Sequence, residues 1–386
     1  MPSSPPTKRS KVNSDDNDHD VTMTDTDTPL SIYPSPNDAA LTEYKIKHAE
    51  SVKDTSKFWG DIAKSSISWY APFTQTVTGS FEEGDVGFFC NGKLNVCYNA
   101  VDRWVEAGHG DQTAVIWEGD EPGDSRYFTF LELQRKVCRV ANMFQSQGVK
   151  KGDTVTIYMP MKIDIVVAML ACARIGAVHS VVFAGFSAEA IADRIEHSHS
   201  RFVCTSHYGQ RGGKTLKLYN IIQSALDHEK VAGIVTHVFV FGSVDDGIPK
   251  QPRDVLVDAV IEDYRPYCPC EWMDSEDNLF ILYTSGSTGR PKGVVHTTGG
   301  YSVYAHYTCS TVFGLSAEKS AFGNQVYACV ADAGWITGHT YIVYGPLLTG
   351  SSTFLFESTP VVCLCNYCYR SYILKFMHNV YSNFIV

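Results

Sequence analysis

No stretch of this chain is apolar for long enough to cross a bilayer. The longest candidate, Ile163 to Ala173, is interrupted by Asp164 and closed by Arg174, whereas a spanning helix needs about 20 apolar residues. Positive charge is not in excess either: 32 Lys and Arg face 42 Asp and Glu, a formal net charge of -10. A body of that sign is repelled by nucleic acid and by anionic lipid, so neither is an expected partner and any phosphate binding must come from local basic loops. The opening residues, MPSSPPTKRSKVNSDD, lack the apolar core of a secretory signal and carry acidic residues that transit peptides avoid. A reducing, cytoplasmic setting is the expectation. The basic cluster Lys8-Arg9-Ser10-Lys11 keeps nuclear entry as an alternative. A disulfide framework is missing as well: most of the twelve cysteines are scattered through apolar segments, where cysteine acts as a small hydrophobe.

What is present is length and apolar content, 386 residues of which 44% are hydrophobic, enough for more than one core. From Met1 to about Asn37 the chain is Ser, Thr, Pro and Asp, too poor in large apolar groups to offset its ordering entropy, so residues 1–37 are expected to be a disordered tail. Residues 38–127 are rich in aromatics, Phe58, Trp59, Trp69 and Phe73 among them, and suit a cap of helices and loops. From Phe128 helix and strand signals alternate. Leu133, Val137, Val140 and Phe144 share one helical face, Asp153 to Tyr158 reads as a strand, Ile163 to Arg174 as a helix and Val178 to Phe183 as a buried strand. The rhythm repeats with a helix from Ser187, strands at Phe202 and Val235, helices over Leu216 to Leu226 and Val255 to Tyr264, and later strands at Leu279, Val326 and Ser352. The expected class is α/β, with mostly parallel strands flanked by helices and ligands outside their carboxyl ends.

One stretch concentrates the chemistry. The apolar run Leu279 to Tyr283 empties into Thr284-Ser285-Gly286-Ser287-Thr288-Gly289-Arg290-Pro291-Lys292. Gly286 and Gly289 let main-chain N–H groups converge on an anion, the four hydroxyls add donors, and Arg290 and Lys292 bring positive charge. Only two residues separate the glycines and Gly293-Val294-Val295 follows the lysine, so this is not a Walker A loop and a strand, not a helix, is expected after it. Two further stretches follow strand ends. Arg211-Gly212-Gly213-Lys214 places two cations before a helix, and suits either an anion site or a solvated turn. Asp332 to His339 brings together Trp335, Thr337 and an imidazole, with Gly334 and Gly338 permitting close approach at a sheet edge.

The order Tyr-Thr-Ser-Gly-Ser-Thr-Gly-x-Pro-Lys-Gly resembles the signature loop of the adenylate-forming family. With SFEEGDVGFFCNGKLNVCYNAVDRW from Ser80, YMPM from Tyr158, GAVHSVVFAGFSAEAIADRI from Gly176, RGGK from Arg211, EWMDSEDNLF from Glu271 and DAGWITGHTYIVYGPLLTG from Asp332, the chain is similar to the AMP-forming acetate–CoA ligases from about Tyr44 through Pro360. The resemblance implies acetate, ATP and CoA as substrates, with Mg2+ alongside ATP. It implies that Thr284, Ser285, Gly286, Ser287, Thr288, Gly289 and Lys292 hold ATP, Thr284 and Lys292 taking part in catalysis. Phe183, Ala184, Gly185, Arg211, Gly212, Gly213, Lys214 and Thr337 match CoA-holding positions, and Trp335, Ile336 and Thr337 match the wall of a small acyl pocket. Residues 128–360 would then be a partial AMP-binding domain. A propionate-using ligase and a non-catalytic CoA- or nucleotide-binding fragment are the alternatives.

After Pro360 the resemblance stops. Residues 361–386, beginning VVCLCNYCYRSY, take the place of segments that would hold adenine, close the acetate pocket, bind Mg2+ and supply a mobile catalytic lysine, so the expectation is a chain inactive alone. Cys363, Cys365 and Cys368 lack a fourth ligand at a usual offset and make a poor zinc site, so no metal ligand is assigned. A misread tail, from intron read-through or a truncated gene model, is the favoured hypothesis, and a spliced transcript that retains the frame to its stop would refute it.

Overall fold

The computed structural model of the protein describes residues 38–119, 123–242, 250–284, 291–318 and 325–357. The tails expected at 1–37 and 361–386, and loop residues 285–290, lie outside the described residues. Two compact units are distinguishable, residues 1–52 and 53–386. In the first, helix α1 (Asp38–Lys53) carries an exposed Lys47–Glu43 ion pair at 2.8 Å, four residues apart on one face.

The second unit begins with α2 (Thr55–Ser66), whose capping Asp54 accepts the Lys57 amide at 2.8 Å. Strands β1 (Gln75–Thr78) and β2 (Gly87–Cys90) pair antiparallel, and β3 (Lys93–Leu94) follows. The segment expected as helices and loops therefore also contains strands. Trp69, Phe73 and Phe89 form a ring cluster with centroids 5.0 to 5.7 Å apart, which makes their role packing.

Strands β4 (Thr113–Glu118) and β5 (Ser125–Thr129) lead into α3 (Phe130–Ser146), opened by a capping box between Thr129 and Glu132. The expected stripe of α3, Leu133, Val137, Val140 and Phe144, is buried. The alternation continues through β6 (Thr154–Tyr158), α4 (Ile163–Ile175), β7 (Val178–Val181), α5 (Ala188–Ser198, capped by Ser187), β8 (Phe202–Ser206), β9 (Gly209–Arg211), β10 (Lys214–Leu216), α6 (Leu218–Leu226), β11 (His237–Phe241) and β12 (Asp254–Leu256). After the short helix α7 (Val257–Val260) and β13 (Met273–Asp274) come β14 (Asn278–Thr284), β15 (Lys292–Thr297), α8 (Thr298–Tyr307), β16 (Val326–Ala328), α9 (Ile336–Gly338), α10 (Gly345–Leu348) and β17 (Ser352–Phe356), with a π-helical turn over His339–Tyr344 joining α9 to α10.

Seven strands form one sheet in the order β12-β11-β8-β6-β7-β14-β15, parallel except that β15 runs against β14. Four more form a second sheet, β16-β17-β4-β5, in which β4 and β5 alone are antiparallel. Side chains alternate across the large sheet. Phe202, Cys204, Phe239 and Phe241 join the core with α3 and α4, whereas Val203, Val238 and Val240 join a second core with α5 and α6. Helices thus cover both faces, as the near-continuous apolar strands require.

Two expected elements differ. The helix expected over Val255 to Tyr264 is a strand, β12, followed by the short helical turns Val257–Val260 and Ile261–Asp263. Pairing of Asp254–Leu256 with Val238–Val240 claims the first residues for the sheet edge. The helix expected from Leu216 begins at Leu218, because Lys214–Leu216 pairs back onto Gly209–Arg211.

Candidate active site

Strand β14 is buried along most of its length and brings Thr284 out to solvent at its carboxyl end. Lys292, first in β15, is also exposed and stands directly across from Thr284 in the antiparallel register. A strand does follow the loop, as the glycine spacing required. Gly293 lies too close to β14 for a side chain, since a Cβ there would come 2.9 Å from Ile281 and 3.3 Å from the Tyr283 ring. Tyr283 is buried, its hydroxyl 2.9 Å from His197 Nδ1, and burial pushes its phenol up. Residues Ser285 to Gly289, matched to ATP by the sequence, lie outside the described residues.

The register also relates this end to the neighbouring strand. Phe280 of β14 pairs with His179 of β7, so Thr284 and Phe183 each lie four residues further on, at the carboxyl edges of adjacent parallel strands. The turn from Phe183 to Phe186 is pinned from below. Tyr158, fully buried in β6, directs its hydroxyl to the carbonyls of Ala184 at 2.8 Å and Phe186 at 3.1 Å. Gly185 is dictated by contact, because a Cβ would meet the Phe183 ring at 2.5 Å.

Arg211 and Lys214 stand on either side of a hairpin turn rather than at a helix N-terminus. Strands β9 and β10 pair Arg211 with Lys214 across Gly212 and Gly213, whose φ values of 60° and 72° suit the tight hairpin that two glycines permit. Arg211 folds over the Phe183 ring, its guanidinium carbon 4.4 Å from the centroid, while Lys214 is exposed. The hairpin is tied to the second sheet by Glu357, which accepts the Gln210 amide at 3.2 Å and faces the Lys162 ammonium at 3.3 Å.

Asp332 to Trp335 closes the other side. The Asp332 carboxylate accepts the Gly334 amide at 2.8 Å and lies 3.9 Å from Arg211 Nη1; burial raises its pKa, and the Gly334 hydrogen bond and the Arg211 charge oppose that rise. Trp335 contacts Phe183 and Phe186 with ring centroids 6.0 and 6.2 Å apart. Gly334 abuts the Phe183 backbone, where a Cβ would sit 2.9 Å from the amide nitrogen. Trp335, Ile336 and Thr337 are all exposed. Phe183, Arg211, Asp332 and Trp335 line one cavity of about 290 Å³. His339 does not join them. Its ring is fully buried behind the turn, because the π-helical turn directs it to the sheet.

Three contributors were not flagged by the sequence: Tyr158, Glu357 and Arg194. The Arg194 guanidinium lies over Phe186 at 4.7 Å and over Tyr283 at 5.2 Å, joining the aromatic turn to the strand that delivers Thr284. A second cavity of about 290 Å³ opens beyond β8 and β11, between Trp117, Arg126, Lys162, Asp164 and His207. Among the described residues no group of three or more His, Cys, Asp or Glu is placed to hold a metal ion, and no helix is long and apolar enough to cross a membrane.

Comparison with known proteins adds a family model described as AMP-binding enzyme, which matches residues 101–370, and one described as acetyl-coenzyme A synthetase N-terminus, which matches residues 44–100. Acetyl-coenzyme A synthetase of Coprinopsis cinerea is 48% identical across 85% of this chain and 48% of its own length. The enzyme of the same name from Dictyostelium discoideum is 44% identical across 86% of this chain and 49% of its own. The chain thus spans about half the length of the curated relatives it matches. Among solved structures, acetoacetyl-CoA synthetase from Streptomyces lividans superposes with a TM-score of 0.72 at 22% identity, over 81% of this chain and 46% of that one. That likeness establishes the adenylate-forming fold.

Proposed function

This chain belongs to the family of AMP-binding enzymes, and from that premise we propose that it forms the phosphate-gripping and CoA-holding part of an acetate–CoA ligase. In the first step an acetate oxygen attacks the α-phosphorus of ATP and pyrophosphate leaves; in the second the CoA thiolate attacks the acetyl carbonyl and AMP leaves. The first step asks for alignment and charge neutralisation more than for covalent help. The Thr284 hydroxyl and the main chain of Ser285 to Gly289 donate to phosphate oxygens, and Lys292 offsets their charge. Arg211 and Lys214 hold the anionic end of CoA against Phe183, Ala184, Gly185 and the Gly212-Gly213 turn. Trp335, Ile336 and Thr337 bound a short acyl group. When bound, Mg2+ would screen the triphosphate charge; among the described residues no group of three or more His, Cys, Asp or Glu is placed to hold it.

The observation that carries this proposal is the convergence of Arg211, Phe183 and Trp335 at the sheet edge that also presents Thr284. Calorimetric titration tests it. The Arg211→Ala/Lys214→Ala variant should bind CoA about tenfold more weakly with ATP unaffected, about 1.4 kcal/mol, and Lys292→Met should do the reverse. A chain that binds neither CoA nor ATP would overturn the proposal. Alone, the 386-residue chain should release no AMP from acetate, ATP and CoA, and release that depends on all three would overturn that expectation.

A further inference from the structure

His339 is fully buried beneath the proposed acyl wall, and its ring makes one hydrogen bond, from Nδ1 to the Ala333 carbonyl. We infer that His339 is a positioning residue, whose Nδ1–H clamps the turn from Asp332 to Trp335 and so sets the wall formed by Trp335, Ile336 and Thr337. This inference rests on the function proposed above.

A carbonyl oxygen only accepts, so the proton must be on Nδ1. Nε2 is then a buried lone pair with no hydrogen-bond partner among the described residues. That orphan acceptor is a cost which a phenylalanine of similar size would avoid. The bond to Ala333 is the one thing the imidazole supplies that an apolar ring would not.

The rest of the surroundings hold the ring still. His179 stacks on it at 5.5 Å with planes 7° apart, and Phe280 lies 4.6 Å away. His179 is itself held by the Tyr344 hydroxyl at 3.1 Å from Nε2. On the turn, the Asp332 carbonyl takes the Trp335 amide at 3.0 Å, and the Trp335 carbonyl takes the His339 amide at 2.9 Å. The side-chain bond to Ala333 closes this small circuit of main-chain bonds from inside. Burial drives the His339 pKa down to about 3, so the neutral, Nδ1-protonated ring persists through the ordinary pH range.

Two measurements decide the matter. Long-range nitrogen–proton NMR on the unmodified protein should show His339 protonated at Nδ1 and bare at Nε2, and a ring protonated at Nε2 instead would overturn the inference whether or not any variant folds. In calorimetric titration, His339→Asn, which keeps a donor near the Nδ1 position, should bind CoA within about threefold of the unmodified protein. His339→Phe should bind about tenfold more weakly. Equal CoA binding by His339→Phe and the unmodified protein would also overturn it. Absence of CoA binding by the unmodified protein would instead overturn the function proposed above, and the tautomer would still decide the clamp.

Discussion

The Tyr158 hydroxyl, buried in the central strand of the large sheet, donates to the carbonyl of Ala184 at 2.8 Å. Burial pushes this phenol up to about 12, so it stays a neutral donor. Tyr158→Phe would leave the Ala184 and Phe186 carbonyls short of a partner. The expected loss is about 1–2 kcal/mol of stability in urea denaturation, together with weaker CoA binding through a loosened Phe183 turn. Unchanged stability and unchanged CoA affinity would show that the hydroxyl does not pin the turn.

Two glycines of the site should respond differently to alanine. At Gly338 a Cβ would lie 2.0 Å from the Asp332 carbonyl oxygen, a backbone atom that cannot step aside. Gly338→Ala should therefore cost about 3 kcal/mol or more and disturb the turn before Trp335. At Gly213 a Cβ meets open space, and only the φ of 72° resists, for about 1–2 kcal/mol. Denaturation midpoints of the two variants measure the contrast, and equal losses would contradict it.

The Asp102 carboxylate and the Arg174 guanidinium form a buried two-pronged pair at 2.8 and 2.9 Å. Removing one partner leaves the other charge stranded, so Asp102→Ala should cost about 3–5 kcal/mol. The double change Asp102→Leu/Arg174→Met should recover most of that loss, since an apolar pair needs no solvation. Urea denaturation of the single and double variants distinguishes a stranded charge from lost packing.

Acid should destabilise the protein through its histidines. Burial lowers His306 to about 4, His339 to about 3 and His179 well below its ordinary 6.5. Each is neutral when folded and charged when unfolded over that interval. Their stabilisation is complete above about pH 6.5 and declines as pH falls toward the folded values, with uptake of up to about three protons on unfolding. Asp164, Asp258 and Asp332, raised by burial, act in the opposite sense as pH falls through their folded values. His306→Gln should reduce the proton uptake by about one, measured as the slope of unfolding free energy against pH between about pH 6 and pH 5. An unaltered slope would show that His306 titrates normally in the fold.

Much of this architecture was legible from residues alone, for reasons that particular elements make plain. The stripe Leu133, Val137, Val140 and Phe144 could bury only as a helix, and the short glycine spacing before Lys292 foretold a returning strand. Long-range pairing was less visible. Nothing local to Thr113–Glu118 says that it lies beside Ser352–Phe356, so the second sheet was not anticipated. Arg211 to Lys214 was placed before a helix because strands of three residues carry too little alternation to register. The imidazole of His339 was grouped with Trp335 by proximity in sequence, whereas the π-helical turn swings it to the opposite side of the main chain. Of the residues that hold the site from behind, Tyr158 sits in an apolar strand where packing alone would have explained it, and Arg194 sits among the charges of an amphipathic helix, where a solvated face would have.

The pairing of Phe280 with His179 makes the peptide ladder a gauge. Because Thr284 and Phe183 are counted off equally from that rung, the spacing between these two carboxyl ends is set by main-chain pairing, about 4.8 Å per strand step. Substitutions on either strand could then change the side chains at the two ends without altering how far apart the ends stand.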